Sequence, residues 1–292
     1  MDSITKYRDY IRKASECDMK AIAFTEHGNI LDYVNKKWDT ERAGMKYIHA
    51  TEAYVTVDLE ERVRDNYHVI LISKNWEGVQ ELNYLMSDKV AFNRYDGHYY
   101  YNPRITYNEL KSTSDNIIVL TACLGGILNS DDKDLKMDFT KFLMNNKHRA
   151  FLEIQPHKVA DQIVYNQLLC ELSRATGIRL VAGTDTHALD ESHVVGRDIL
   201  QKSKNIHFAN EDGWDLTFKT YEELVEAFRN QNALPENVYL EAIENTNVIA
   251  DMIEEFELDT SIKYPKLYDD SENAFKTKIA KSLKENSQIV DN

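Results

Sequence analysis

The segment IRLVAGTDTH (residues 178–187) runs from a short apolar stretch, Ile178 to Ala182, into the polar group Thr184-Asp185-Thr186-His187. An apolar run this short, stopping at a polar loop, is the pattern of a buried strand. The pattern recurs upstream. Ala21 to Phe24 stops at Thr25-Glu26-His27-Gly28, Tyr47 to Ala50 at Thr51-Glu52, Ile117 to Leu120 at Thr121-Ala122-Cys123, and Phe151 to Ile154 at Gln155-Pro156-His157. A further run, Val69 to Ile72, follows His68 instead of leading to a polar group. Helical spacing marks 3–17, 76–90, 135–146, 159–176, 191–203, 220–230 and 236–256. Strands alternating with helices in this way predict an α/β fold with a parallel sheet and crossover helices.

Composition narrows the classes. The 292 residues are 42% hydrophobic, enough for a sizeable core and too many for a disordered chain. Only 4 Pro and 10 Gly exclude collagen-like and low-complexity readings. The net charge of −14 repels nucleic-acid backbones on average, so contact with nucleic acid would need a local basic patch, a metal or another chain. Cys17, Cys123 and Cys170 are an odd number at long spacing, which fits a reducing cytoplasm better than a disulfide framework. The opening MDSITKYRDYIRK carries no apolar leader, and no run approaches the ~18 apolar residues of a membrane span. The organisation expected is one domain over 1–265 and a polar tail over 266–292, after Tyr264-Pro265.

The chemistry-bearing residues sit just after the strand-like runs: His27, Glu52, Cys123, Asp185 and His187. In parallel α/β barrels these strand ends converge on one face. Carboxylate, imidazole and thiolate together suit zinc, manganese or iron better than calcium. Two or three such ions could bind a phosphoryl group and activate a water. If the strand pleat persists, Asp185 and His187 point to one face and present two ligands there. Position alone leaves His27 and Glu52 open between ligands and ordinary loop or strand-end polar groups. His68 reads as a strand-edge histidine, and Cys123 as a small core residue. Glu153, inside its run, faces either the barrel interior or a core ion pair; His157 is a candidate either to support a metal ligand from behind or to touch substrate. His49, His98, His148, His193 and His207 read as packing or surface residues.

The order of motifs resembles a known family. MKAIAFTEHGNI (19–30), GMKYIHATEAYV (44–55), YHVILISKNWEGVQELNYLMS (67–87), NIIVLTACLGGIL (116–128), FLEIQPH (151–157) and VAGTDTHAL (181–189) are similar to the PHP (polymerase and histidinol phosphatase) domain that opens bacterial DNA polymerase III alpha subunits. FKTYEELVEAF (218–228) and AIENTNVIADM (242–252) resemble the stretch that leads to the polymerase proper, so the resemblance covers roughly residues 3–268. It implies a distorted (β/α)7 TIM-like barrel that binds up to three divalent metal ions and hydrolyses phosphoesters as a 3′–5′ exonuclease or pyrophosphatase. In some members the domain is inactive and structural. Carried across residue by residue, the metal ligands would be His27, Glu52, His68, Cys123, Asp185 and His187, with Asp185 and His187 catalytic and Glu26 beside them.

The chain also departs from the family. No H-x-H occurs, the family's first strand is absent, and T-D-H reads T-E-H, with Glu26 one methylene longer. The expectation is therefore a barrel lacking its first strand, with fewer metals than the family maximum. No polymerase activity is expected from this chain by itself. The partners implied are a polymerase core, a strand supplied in trans, and DNA or nucleotide held through metals. Three readings follow: a metallophosphoesterase module of a replicase, an inactive scaffold for it, and a free-standing histidinol-phosphatase-like enzyme.

Overall fold

The computed structural model describes residues 3–64, 66–205, 213–263 and 266–290. His207 and the expected boundary at Tyr264-Pro265 lie outside them. The chain forms two compact units, Met1–Phe256 and Glu257–Asn292. The second carries one long helix, Ser271–Val290. No helix among the described residues is long and apolar enough to cross a membrane.

The first unit is an α/β fold with eight strands in one sheet. They are β1 (Ala21–Phe24), β2 (Lys46–Thr56), β3 (Tyr67–Ser73), β4 (Tyr99–Tyr100), β5 (Asn102–Thr106), β6 (Ile117–Leu120), β7 (Ala150–Ile154) and β8 (Arg179–Ala182). The long strand β2 pairs with β1 through its first half, with β5 through its last residues, and with β3 on its other side. The order then runs β3-β6-β7-β8. Strands β1 and β8 therefore lie at opposite ends of this order. Yet His27, just after β1, lies 3.1 Å from His187, just after β8 (Nε2 to Nε2). The sheet must curl through most of a barrel to bring them together.

Alternation along the strands builds two cores. Ala53, Val55, Val69, Leu71, Ile117, Val119, Leu152 and Leu180 pack outward against the helices. Ile48, Ala50, Ile70, Ile72, Ile118, Leu120, Phe151 and Val181 fill the concave side. Helix α9 (Glu236–Met252) sends Ile249, and Ile253 just beyond its end, into that concave core. Lys46 Nζ, at the start of β2, donates to the carbonyls of Ala250 (2.9 Å) and Ile253 (3.0 Å). A cation there satisfies carbonyls that a helix terminus leaves without partners.

Two sequence expectations need correction. The sheet is not wholly parallel, because β3 runs antiparallel to both β2 and β6. Among the described residues no helix separates β2 from β3; without a crossover the chain turns back, as antiparallel neighbours do. Glu52 does not end a strand. It lies in the middle of β2, 4% exposed, because β3 carries the pairing beyond it to Val55 and β5 to Thr56.

Candidate metal centre

The concave apolar layer gives way to a polar one toward one rim of the barrel. Glu52 follows Ile48 and Ala50 on the inward face of β2 and Tyr54 comes next, while Glu153 follows Phe151 on β7. Because β3 is reversed, its first residues lie at the rim where the parallel strands end. His68 is thus opposite Tyr54, and its backbone N–H donates to Gly125 just past β6. The reversal carries His68 into a layer that a rule based on strand ends would deny it.

The polar groups meet around Glu52. Its Oε1 lies 3.2 Å from His68 Nδ1, and Cys123 Sγ lies 3.3 Å from the same nitrogen. The ligand atoms of Glu52, His68 and Cys123 all fall within 4.8 Å of one another. The other oxygen of Glu52 accepts from His27 Nδ1. His27 then faces His187, whose Nδ1 donates to the Asp185 carbonyl at 2.7 Å. One carboxylate therefore touches two clusters, one with His27 and His187, the other with His68 and Cys123. The ring of Tyr54 stacks on His27 and meets His68 edge-on, with centroids 6.2 and 5.0 Å away.

Local geometry fixes these side chains. Gly28 has φ +61°, and a Cβ there would lie 2.8 Å from the Tyr54 ring, so the T-E-H-G turn requires glycine. Its N–H donates to the Glu52 carbonyl at 2.7 Å, which ties the turn to β2. The T-D-T-H segment is not a continued strand, since β8 ends at Ala182 and Asp185 has φ +46°. Asp185 and His187 still approach, Oδ1 to Nδ1 at 3.7 Å, but through a left-handed turn rather than a pleat. The His187 backbone is held from outside: Leu216 O accepts from the N–H groups of His187 (2.8 Å) and Ala188 (3.1 Å).

Burial and pairing pull the charges in different directions. Burial opposes ionisation of Glu52, but hydrogen bonds from His27 and His68 outweigh it and hold the carboxyl below the usual range. Burial raises Asp185, with Glu52 adding to the rise and His187 opposing it. Burial also keeps the Cys123 thiol well above its ordinary value.

A family model described as the PHP domain matches residues 1–157, more than half of the 292 residues. The chain belongs to the PHP domain family. Its sequence is 32% identical over 276 residues to DNA polymerase III subunit alpha of Borreliella burgdorferi, covering 88% of this chain and 23% of that protein. It is 28% identical over 284 residues to the same subunit of Aquifex aeolicus, covering 89% and 24%. The chain thus spans about a quarter of the length of these relatives. An amidohydrolase structure from Chromobacterium violaceum overlays with a TM-score of 0.41 at 11% identity, covering 65% of this chain and 85% of that one; the likeness is too distant to bear on the chemistry.

In this PHP domain the donor set fits a divalent transition metal. A carboxylate, an imidazole and a thiol converge within ligand distance of one another, the combination borderline-soft ions prefer over calcium or magnesium. His27 and His187 adjoin that group. Glu26 turns away and pairs with the buried Lys36. Glu153 faces the interior next to Gly183, accepts from Gln155 Nε2 at 2.9 Å, and is pushed up to about 7, chiefly by burial. His157 stays outside the cluster, stacked on Trp214 with centroids 4.6 Å apart. The sequence reading missed Tyr54 and the Leu216 clasp. The period-2 spacing of Glu52 and Tyr54 could have signalled the first; nothing local announces the second.

Proposed function

We propose that the chain is a metal-dependent phosphoesterase module of a replicative DNA polymerase alpha subunit, cleaving phosphodiester or pyrophosphate bonds of DNA or nucleotides. The observation that carries this is the position of Glu52, with one oxygen in each of two imidazole-containing clusters. Two nitrogens bound to one ion at about 2.1 Å and about 90–110° apart lie roughly 3.0–3.4 Å from each other. The His27–His187 separation of 3.1 Å falls in that range. His27, Glu52, His68, Cys123, Asp185 and His187 would hold zinc, manganese or iron. Bound there, the metal would polarise a phosphoryl oxygen and acidify a water.

The protein's own groups have separable tasks. Glu52 orients His27 and His68 through its two oxygens. The Asp185 carbonyl fixes the His187 ring by accepting a hydrogen bond from Nδ1–H, which leaves Nε2 facing the site. The Asp185 carboxyl would help orient a water. With a net charge of −14, attraction of an anionic substrate would fall to the metals. A polymerase core would be the partner, and a further strand, from a longer chain or in trans, would add between β8 and β1, which stand at the two ends of the pairing order. Three free cysteines fit a cytoplasmic setting.

The test is elemental analysis after dialysis against trace zinc and manganese. At least one metal per chain is expected, lost in Glu52→Gln and in the Asp185→Ala/His187→Ala double variant. The second reading, a structural module, is favoured by one observation: Glu52 already pairs with both imidazoles directly. Absence of stoichiometric metal from the unaltered protein decides for it.

A further inference from the structure

His157 follows β7, and the Glu52-centred cluster leaves it unused. The residue is 1% exposed, and neither ring nitrogen has a hydrogen-bond partner among the described residues. Hiding both nitrogens of an imidazole without partners costs free energy that a phenylalanine at the same place would avoid. Stacking on Trp214, at an interplanar angle of 13°, would suit either ring. The residue is therefore not explained by packing.

The backbone that carries the ring is held firmly. The His157 carbonyl accepts from Gln231 Nε2 at 2.7 Å, and Gln231 Oε1 accepts from Asn166 at 2.9 Å. Its cover is joined to the candidate site, because Trp214 lies two residues before Leu216, whose carbonyl grips the His187 backbone. A substrate seated at His187 would press on the segment that covers His157. Burial is the chief reason the ring resists a positive charge, with Asp215 favouring one and Lys219 and His187 opposing it, so the neutral ring keeps one N–H to donate. Lys219 is itself a buried ammonium, gripping Asp215 at 2.7 Å and Thr217 Oγ1 at 2.6 Å.

We propose that His157 is a substrate-binding residue, an N–H donor to a phosphoryl oxygen that becomes available when the Trp214 segment shifts. This rests on the phosphoesterase reading and names a residue that its metal cluster does not include.

Inorganic phosphate is the probe, titrated into the full chain both as purified and after chelation. Tryptophan emission follows the cover, with Trp214→Phe identifying the signal, and nitrogen-15 NMR follows the His157 ring. The expected result is a saturable response in the unaltered protein. His157→Phe keeps the stack and should weaken phosphate binding about tenfold or more, while His157→Gln keeps a donor and should recover part of the loss. Equal affinity of His157→Phe and the unaltered protein overturns the proposal. So does a His157 ring signal that phosphate leaves unmoved, a result that needs no variant to fold. Metal content measured on the same samples separates the two readings, since His157→Phe should leave it unchanged. If metal is absent throughout, the phosphoesterase reading fails, and the phosphate response judges His157 separately.

Discussion

Acid should weaken this fold through His49. The ring is 1% exposed, between β2 and helices α2 (Tyr33–Arg42) and α3 (Trp76–Leu85). Its Nε2 donates to Asn83 Oδ1 at 3.1 Å, its Nδ1 accepts from the Tyr47 hydroxyl at 3.1 Å, and the Tyr33 ring is 4.8 Å away. The neutral tautomer is thus fully matched, and a second proton would meet a hydroxyl that is already donating. Burial is the main reason that its pKa drops from 6.5 to about 4; the Asn83 bond resists the drop and the Lys36 charge deepens it. The unfolded chain takes up this proton near 6.5 and the native protein near 4. The contribution is complete above 6.5 and is lost as pH falls between the two values. A gap of about 2.5 units at 1.36 kcal/mol each is about 3 kcal/mol. Urea unfolding from about pH 7 to about pH 4, on the unaltered protein and on His49→Gln, measures it. Other titrating groups, the buried His157 among them, cancel in the difference. Parallel curves through that window would refute the argument.

Gly183→Ala should cost about 1–3 kcal/mol, because the new Cβ would stand 2.0 Å from Glu153 Oε1; denaturation of Gly183→Ala, with and without Glu153→Ala, should show the two sites strongly coupled. Arg104→Met should destabilise by about 3 kcal/mol or more, since the fully buried guanidinium donates to the carbonyls of Glu61, Gly97, His98 and Leu59. Faster proteolysis within 57–64 would accompany that loss. At Asp185, φ +46° favours Asn over Ala. Asp185→Asn should therefore melt close to the unaltered protein and Asp185→Ala about 1 kcal/mol lower, with metal retention falling in both.

Much of the fold could be read from short apolar runs, since each of the six became a strand and the helical stretches between them formed within a few residues of the expected places. Strand direction could not be read. The run Val69 to Ile72 looks the same from either end, and only the absence of a helix before it separates a reversed strand from a parallel one. That single ambiguity kept His68 out of the strand-end argument and left it to the family resemblance, since its place at the rim depends on the reversal. Glu52 was visible as a candidate, but its central position was not, because the partners that carry β2 past it are the reversed β3, as far as Val55, and β5, about 50 residues away in sequence, as far as Thr56. Asp185 and His187 were paired for the wrong local reason: a left-handed residue in a D-x-H segment looks no different from a pleated one. The role of Leu216 rests on contacts between distant backbones and leaves no mark on side-chain identity.

The Lys46 contact with the end of α9 bears on how little of this chain can fold. A piece ending at residue 157, where the family match stops, would lack β8, and with it Asp185 and His187. One ending after β8 would still lose Ile249 and Ile253 from the floor of the barrel. It would also leave the Lys46 ammonium facing an opened apolar core instead of two carbonyls. The smallest autonomous unit should therefore reach Phe256, and trimming from the C-terminal side should turn abruptly from tolerated to insoluble as the cut passes Ile253.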